Sequence, residues 1–457
     1  MRSKRNVVNG DSYLKIPAGF SIGAASSAFQ VEGGWNASDK SMSNLDHIYR
    51  AGSKMVADTS CNSYYHWEED VELMAEIKLQ HYRFSLSWPR ILPTASPENI
   101  SEDGVKYYNN VIDALSSKGI TPFVTIYHWD HPYILESFGG WANESMIDYF
   151  VDYARVVFRE FGSKVRFWST VNEPTEYSVI VGSSGANELV YSCVHNMLKA
   201  HAKVYHMYNE EFRKTQNGQI GIVAVSHYFY PSMQNDTEIA RIAYEFHGGW
   251  TINPIFSKDG DYPAVMKQYV KTLPKFSSEW IDLIRGSSDY LGLNYYASYL
   301  SRRNPNKTSA KPAINFRNRH WPRAVNGWQS VHAKGFGDLL RFIKETYDNP
   351  PVYILENGIA TDKSLYDLQR EEYLYDHMKE MLLAINRDGC NVKAYTVWSL
   401  LDNFEWLQGY KFPYGLVSVD FNHPNRTRTL KWSALWLANT TTRGELVDKT
   451  SFDSYLL

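Results

Sequence analysis

Two glutamates stand where a pair of carboxyl groups could cleave a glycosidic bond. Glu173 lies in Thr170-Val-Asn-Glu-Pro174 and Glu356 in Ile354-Leu-Glu-Asn-Gly358, each closing a short apolar or β-branched run. Hydrolysis of a glycoside needs one carboxylic acid to protonate the departing oxygen and a second carboxylate on the other side of the anomeric carbon. At a separation of about 5 to 5.5 Å the second carboxylate attacks directly and configuration is retained. Either tripeptide alone would more often be a turn, so the pair needs a frame that brings it together.

The sequence offers such a frame. Eight runs read as strands: 20–29, 81–88, 121–128, 166–172, 219–229, 288–295, 351–356 and 392–399. Between them, 64–79, 103–118, 143–162, 187–214 and 366–388 keep apolar residues at three- and four-residue spacing, as helices do. Alternating strands and helices, with eight strands to close a ring, predict an α/β fold: one (β/α)8 TIM barrel over 13–457, with residues 1–12 as an unstructured N-terminal segment. The fifth-to-sixth interval and the polar excursion 297–335 are too long for simple connections and are expected to wall the active face. Strand after strand ends in a polar or aromatic group: Gln30 with Glu32, Arg83, His128 with Trp129, Asn172 with Glu173, Asn294 with Tyr296, Glu356 with Asn357, and Trp398 followed by Glu405 with Trp406. In a parallel barrel these ends face one mouth, with strands four and seven on facing walls.

Composition excludes several alternatives. A formal net charge of -3 gives no field to attract a polyanion or an acidic membrane, so nucleic acid is not an expected partner. No apolar run is long enough for membrane insertion, and the basic, polar first dozen residues are not a secretory leader. Cys61, Cys193 and Cys390 lie far apart, which allows at most one disulfide and gives no metal-binding spacing. No cofactor is expected, and the chain would act as a monomer or homodimer. Aromatic residues make up 15% of the chain, and rings are what sugar C–H faces stack on. Asn-x-Ser/Thr triplets begin at Asn36, Asn99, Asn143, Asn235, Asn306, Asn425 and Asn439, which tilts the reading towards a secreted glycoprotein.

The motifs around Glu173 and Glu356 resemble the acid/base and nucleophile motifs of glycoside hydrolase family 1, the β-glucosidase family. Similar matches run along the chain: Ala28-Phe-Gln-Val-Glu-Gly33, Tyr82-Arg-Phe-Ser-Leu-Ser-Trp88, His128-Trp-Asp130, Asn294-Tyr-Tyr296 and Trp398-Ser-Leu-Leu-Asp-Asn-Phe-Glu-Trp406. The resemblance implies a retaining β-glucosidase with Glu173 as acid/base and Glu356 as nucleophile, acting on a small β-glucoside. It assigns Gln30, His128, Trp129, Asn172, Asn294, Tyr296, Trp398, Glu405 and Trp406 to substrate binding. Asn172 would hold the 2-hydroxyl, Trp398 would lie beneath the ring, and Arg83 with Tyr296 would contact the nucleophile. A carboxylate at Glu405 would repel a phosphate, which argues against 6-phosphoglucosides. The contexts of Cys61 and Cys390 look like the insect branch.

The chain also departs from the family pattern. The stretch after Pro174 is short, Pro413-Tyr414-Gly415-Leu416 stands where Arg-Phe-Gly-Leu is usual, and His131 replaces an apolar residue. Two other functions compete: a thioglucosidase acting on glucosinolates, and a catalytically silent binding module. An insect thioglucosidase of this kind has basic aglycone contacts where this chain has Val179 and Tyr299, although Arg302 or Arg303 could substitute. The silent relatives usually lack one catalytic Glu, whereas both are present here.

Overall fold

The computed structural model describes residues 11–52, 55–180 and 187–449. Eight parallel strands close a barrel: β1 Ser21–Ala25, β2 His81–Ser85, β3 Thr121–Tyr127, β4 Phe167–Asn172, β5 Gln219–Val225, β6 Tyr290–Tyr295, β7 Val352–Asn357 and β8 Val392–Trp398. Each pairs with the next, and β1 pairs with β8 from Ser21↔Ala394 to Ala25↔Trp398, which closes the ring. All eight lie within the runs read from the sequence or overshoot them by one residue.

Side chains alternate inward and outward along most of each strand, which selects the interior, with register shifts between Ser169 and Asn172 and between Ile354 and Glu356. On β2, His81 and Arg83 point inward, as their bonds to Thr396 of β8 and Glu356 of β7 require. The interior is filled by Phe123, Val223, Tyr290, Leu355 and Ala394, with Phe167 and Tyr353 against them. Phe123 and Phe167 lie 4.4 Å apart, and Tyr290 and Tyr353 lie 4.6 Å apart. The barrel centre is therefore a packed floor, and open space is left only at the strands' C-terminal ends.

The helices form for ordinary reasons. In Glu102–Ser117, Ser101 caps the N-terminus by accepting from Gly104 N at 3.0 Å, Glu102 and Asp103 favour the first turn, and Tyr108, Val111, Ile112 and Leu115 form the buried face. Ser63–Glu76, Met146–Phe161, Asn187–Glu211 and Leu368–Asn386 answer to the other helical runs. Helices Ala333–Thr346 and Trp432–Arg443 fill places where the barrel calls for helices but no helical run is named from the sequence. The first carries Gly335, which obscures the pattern yet is required, since a Cβ there would sit 1.9 Å from Ser298 Oγ.

Two strand readings need correction. The run 20–29 is a strand only to Ala25, and Ala28–Val31 is a helical turn that carries Gln30. The run 219–229 is broken: β5 stops at Val225, Ser226 N bonds to Asn294 O, and Tyr228–Pro231 joins a separate sheet with Ser298–Arg303 and Ala313–Phe316. Of the segment read as unstructured, residues 1–10 lie outside the described residues, and Asp11–Leu14 forms a 3-10 turn. The three cysteines are buried and unpaired.

Candidate active site

At the C-terminal end of the barrel lies a cavity of about 340 Å³, lined by residues from opposite walls that include Glu173 and Glu356. Glu356 is the inward residue next to the end of β7 and is 4% exposed. Arg83 Nη1 donates to its Oε1 at 2.6 Å, and Tyr296 Oη donates to its Oε2 at 2.6 Å. A guanidinium on one oxygen and a phenol on the other hold the carboxyl in place by both of its oxygens. Burial, with the charges of Glu356 and Glu173, holds the Tyr296 phenol well above its usual range, so it stays a donor. Arg83 also donates to Asn172 Oδ1 at 2.6 Å and Thr125 Oγ1 at 3.1 Å, which fixes the guanidinium in the barrel interior.

Glu173 has the opposite surroundings. It follows β4, its backbone N bonds to Val223 O, and it begins the turn into the helix Pro174–Ile180. Burial and the negative charge of Glu356 raise its carboxyl well above the ordinary range, and Glu176 adds to this. Asn294 Nδ2 donates to its Oε1 at 2.7 Å. The two carboxyls thus meet opposite surroundings in one cavity: Glu356 is held by a guanidinium and a phenol, while burial favours the proton on Glu173, the division of labour that acid-assisted displacement requires. Glu173 adopts φ +46°, and Trp129 and Trp406 adopt +82° and +49°. Left-handed backbone costs non-glycine residues of order 1–3 kcal/mol each, so three such residues mark a site whose geometry is imposed by its surroundings.

The remaining expected residues converge as well. Gln30 donates to Asn403 Oδ1 at 2.9 Å and Phe404 O at 2.8 Å, which ties the turn after β1 to the loop bearing Glu405. Trp398 donates through Nε1 to Glu405 Oε1 at 3.2 Å. Trp129 lies 4.5 Å from Trp406 between ring centres, tilted by 31°, and donates to Asn172 O at 2.8 Å. His128 lies with its ring 21° from the plane of Trp398, and burial together with Arg83 lowers its pKa well below the usual value, so it is neutral. Its Nε2 lies 3.1 Å from Asn172 Nδ2 and accepts from that amide. Asn172, Asn294 and Arg83 stand one layer behind the cavity surface.

Two strand-end groups turn away. Glu32 accepts from Arg90 Nε at 3.0 Å and Tyr108 Oη at 2.7 Å. Asn357, which neighbours Glu356 and therefore points to the other side of the sheet, bonds to Tyr295 O, Tyr373 and Tyr395. Glu405 also differs from expectation: burial, with some help from Glu356, pushes it up to about 8, so it is largely protonated near neutrality and repels a phosphate less than a free carboxylate would.

The chain matches the model of Glycosyl hydrolase family 1 over residues 12–445. It belongs to that family. Myrosinase 1 of Brevicoryne brassicae is 37% identical over 94% of this chain and 99% of its own length. The human cytosolic beta-glucosidase is 38% identical over 92% of this chain and 97% of its own. Among solved structures, an aphid myrosinase superposes with a TM-score of 0.90 at 36% identity, covering 94% of this chain and 100% of that one. A family 1 β-glucosidase from Thermotoga maritima gives 0.88 at 36%, covering 95% and 99%.

This family 1 glycoside hydrolase builds the outer part of its cavity from residues that motif reading did not single out: Glu176, Ile180, Val225, His227, Trp328, Leu407 and Gln408. His227 lies just past β5, within the run read as a strand, and Trp328 comes from the excursion 297–335, which does wall the active face. The available signals were weak: Glu176 lies one helical turn beyond Glu173, and His227 is a polar residue just past a strand end. Of the departures from the family pattern, Tyr414 lines the cavity edge-on to Tyr296 at 6.4 Å, with its hydroxyl held by Asn326. His131 is structural, buried between Tyr127 and Glu136. Part of the short stretch after Pro174, residues 181–186, lies outside the described residues. Arg302 packs over Phe316 and Arg303 pairs with Asp236 and Glu238, so neither supplies a basic aglycone contact.

Proposed function

We propose that this family 1 hydrolase is a retaining β-glucosidase in which Glu173 is the acid/base and Glu356 the nucleophile. The observation that carries this reading is the contrast between the two carboxyls. Glu356, held by Arg83 and Tyr296, attacks the anomeric carbon while Glu173 gives its proton to the leaving oxygen. The covalent glycosyl-enzyme neutralises Glu356, which removes one of the charges that raise Glu173. Glu173 then becomes a stronger acid, and its conjugate base accepts a proton from the incoming water. The sugar is held by Gln30, His128, Glu405 and Trp406, with Trp398 beneath it and Asn172 supporting His128 from one layer behind.

Similarity favours a second reading, because a myrosinase is among the relatives in both sequence and structure. The aglycone wall favours the first. No Lys or Arg is among the described residues that line the cavity, and 181–186 contain none. A sulfated glucosinolate would leave its anion without a partner there, at a cost of order kilocalories. A secretory route belongs to the same reading and is supported by the exposure of six of the seven sequon asparagines, with Asn439 half-buried in a helix.

The test compares a chromogenic aryl β-glucoside with a glucosinolate. Hydrolysis of the O-glucoside with at least about tenfold higher kcat/KM, with β-glucose as the first product by NMR, is the expected result. The reverse preference would make the chain a thioglucosidase. Glu356→Gln should lower turnover by at least about a thousandfold without unfolding the protein.

A further inference from the structure

Beyond the sugar pocket, the chain places a charge that the two-carboxylate mechanism does not use. Glu176 sits three residues after Glu173 on the helix Pro174–Ile180 and lines the outer cavity. Its Oε1 lies 3.6 Å from His247 Nε2, and the His247 ring stands 4.5 Å from that of His227, which also lines the cavity. In both imidazoles Nδ1 is buried without a hydrogen-bond partner. A neutral ring tolerates this by keeping a lone pair on Nδ1, whereas an imidazolium would leave a buried N–H unsatisfied. Burial lowers both rings accordingly, His247 to about 4 and His227 well below its ordinary value. The histidines thus present N–H donors and no positive charge.

The other surfaces facing this region do not neutralise Glu176 either. Ile180, Val225, Trp328 and Leu407 are apolar or aromatic. Arg317 is exposed and acts on Tyr299. Lys311 lies in an adjoining side cavity of about 230 Å³, which it shares with Glu176 and His247, and does not line the main one. Burial raises the Glu176 carboxyl above its ordinary value, while its side chain stays 31% exposed at the cavity wall. The leaving group of a bound glycoside therefore meets an apolar wall carrying one acidic side chain, with no Lys or Arg among the described residues that line the same cavity.

We propose that Glu176 is a specificity-determining residue that selects the charge of the aglycone: it admits leaving groups carrying a cation or a hydrogen-bond donor and rejects anionic ones. The inference rests on the glucosidase reading above and extends it to a class of substrate, β-glucosides of neutral or basic aryl and hydroxylated alcohols. Like charges brought together at a binding surface cost several kilocalories, which suffices for discrimination.

The experiment uses three β-glucosides of phenol, para-substituted with hydroxymethyl, aminomethyl or carboxymethyl. The methylene insulates the phenol, so leaving-group acidity stays nearly constant while charge varies. The whole chain should hydrolyse the carboxymethyl substrate with kcat/KM at least about tenfold below the hydroxymethyl one, and the aminomethyl substrate at least as well as the hydroxymethyl one. Glu176→Gln should bring the three within about threefold of one another, Glu176→Lys should reverse the order, and Lys311→Ala should leave it as in the parent. The series in the unmutated protein, repeated at high salt where the penalty should shrink, is decisive even where a variant folds poorly. A flat series, or a carboxymethyl penalty that survives Glu176→Gln, overturns the proposal alone. Failure to hydrolyse even the hydroxymethyl substrate overturns the glucosidase reading, and this inference with it.

Discussion

At the scale of single residues, the protein keeps one proton where folding does not favour the charged form. Glu173 is buried beside Glu356, and its pKa is raised in the folded state. A carboxyl raised on folding contributes stability below its unfolded pKa, near 4.5, and that stability is lost as pH rises towards the folded value. Glu173→Gln, which carries no charge, should therefore melt at a higher temperature than the parent at pH 7, and scanning calorimetry should find the difference gone below about pH 4. The same group should set the alkaline limb of kcat/KM, because deprotonation removes the acid. His128, neutral throughout by burial, does not supply the alkaline limb. Glu173→Ala should lose at least about a hundredfold in kcat on alkyl glucosides and much less on glucosides of acidic phenols, with azide restoring turnover. Equal loss on both would mean that Glu173 holds structure instead.

At the scale of elements, the site depends on how closely the ends of β7 and β8 approach. Gly358 follows β7, and a Cβ added there would lie 1.8 Å from Trp398 O and 3.5 Å from Trp398 Cα. Gln329 Nε2 bonds to Gly358 O at 2.5 Å and to Tyr296 O at 3.1 Å, so this contact also fixes the tyrosine that holds Glu356. Gly358→Ala must push the Trp398 platform away from the nucleophile. It should destabilise the fold by about 1–3 kcal/mol in urea and lower kcat more than that loss of folded protein accounts for. A variant with parental kcat would show that the strand ends tolerate the shift.

At the scale of the whole molecule, the C-terminal helix is joined to the sugar pocket through a buried ion pair. Lys431, which begins the turn into Trp432–Arg443, donates to Asp402 Oδ1 at 2.6 Å, and the same oxygen accepts Gly415 N at 2.8 Å. Asp402 precedes Glu405 in the loop after β8, and Gly415 follows the cavity residue Tyr414. Lys431→Met would leave Asp402 buried without its cation. This should cost about 3–5 kcal/mol, read as a lower urea midpoint, and weaken glucose binding because both pocket loops lose their anchor. An unchanged midpoint would make the pair dispensable.

The eight barrel strands and the convergence of Glu173 and Glu356 were legible in the sequence for one physical reason. Buried parallel strands need short apolar runs, and a parallel barrel brings every C-terminal strand end to one face, so a polar residue at such an end belongs to the site whatever its distance along the chain. Which way an end residue points was not legible. Glu356 and Asn357 are neighbours, yet alternation turns one into the cavity and the other towards Tyr373 and Tyr395. Glu32 looked as promising as Gln30 and is held by Arg90 and Tyr108. The outer wall was hidden more thoroughly, because Glu176, His227 and Trp328 come from three separate segments that share no sequence pattern. Their meeting depends on how the insertions pack over the barrel mouth. Side-chain packing decided it: the buried Nδ1 atoms of His227 and His247, and the approach of His247 to Glu176 on that wall, exist only once those segments are folded together.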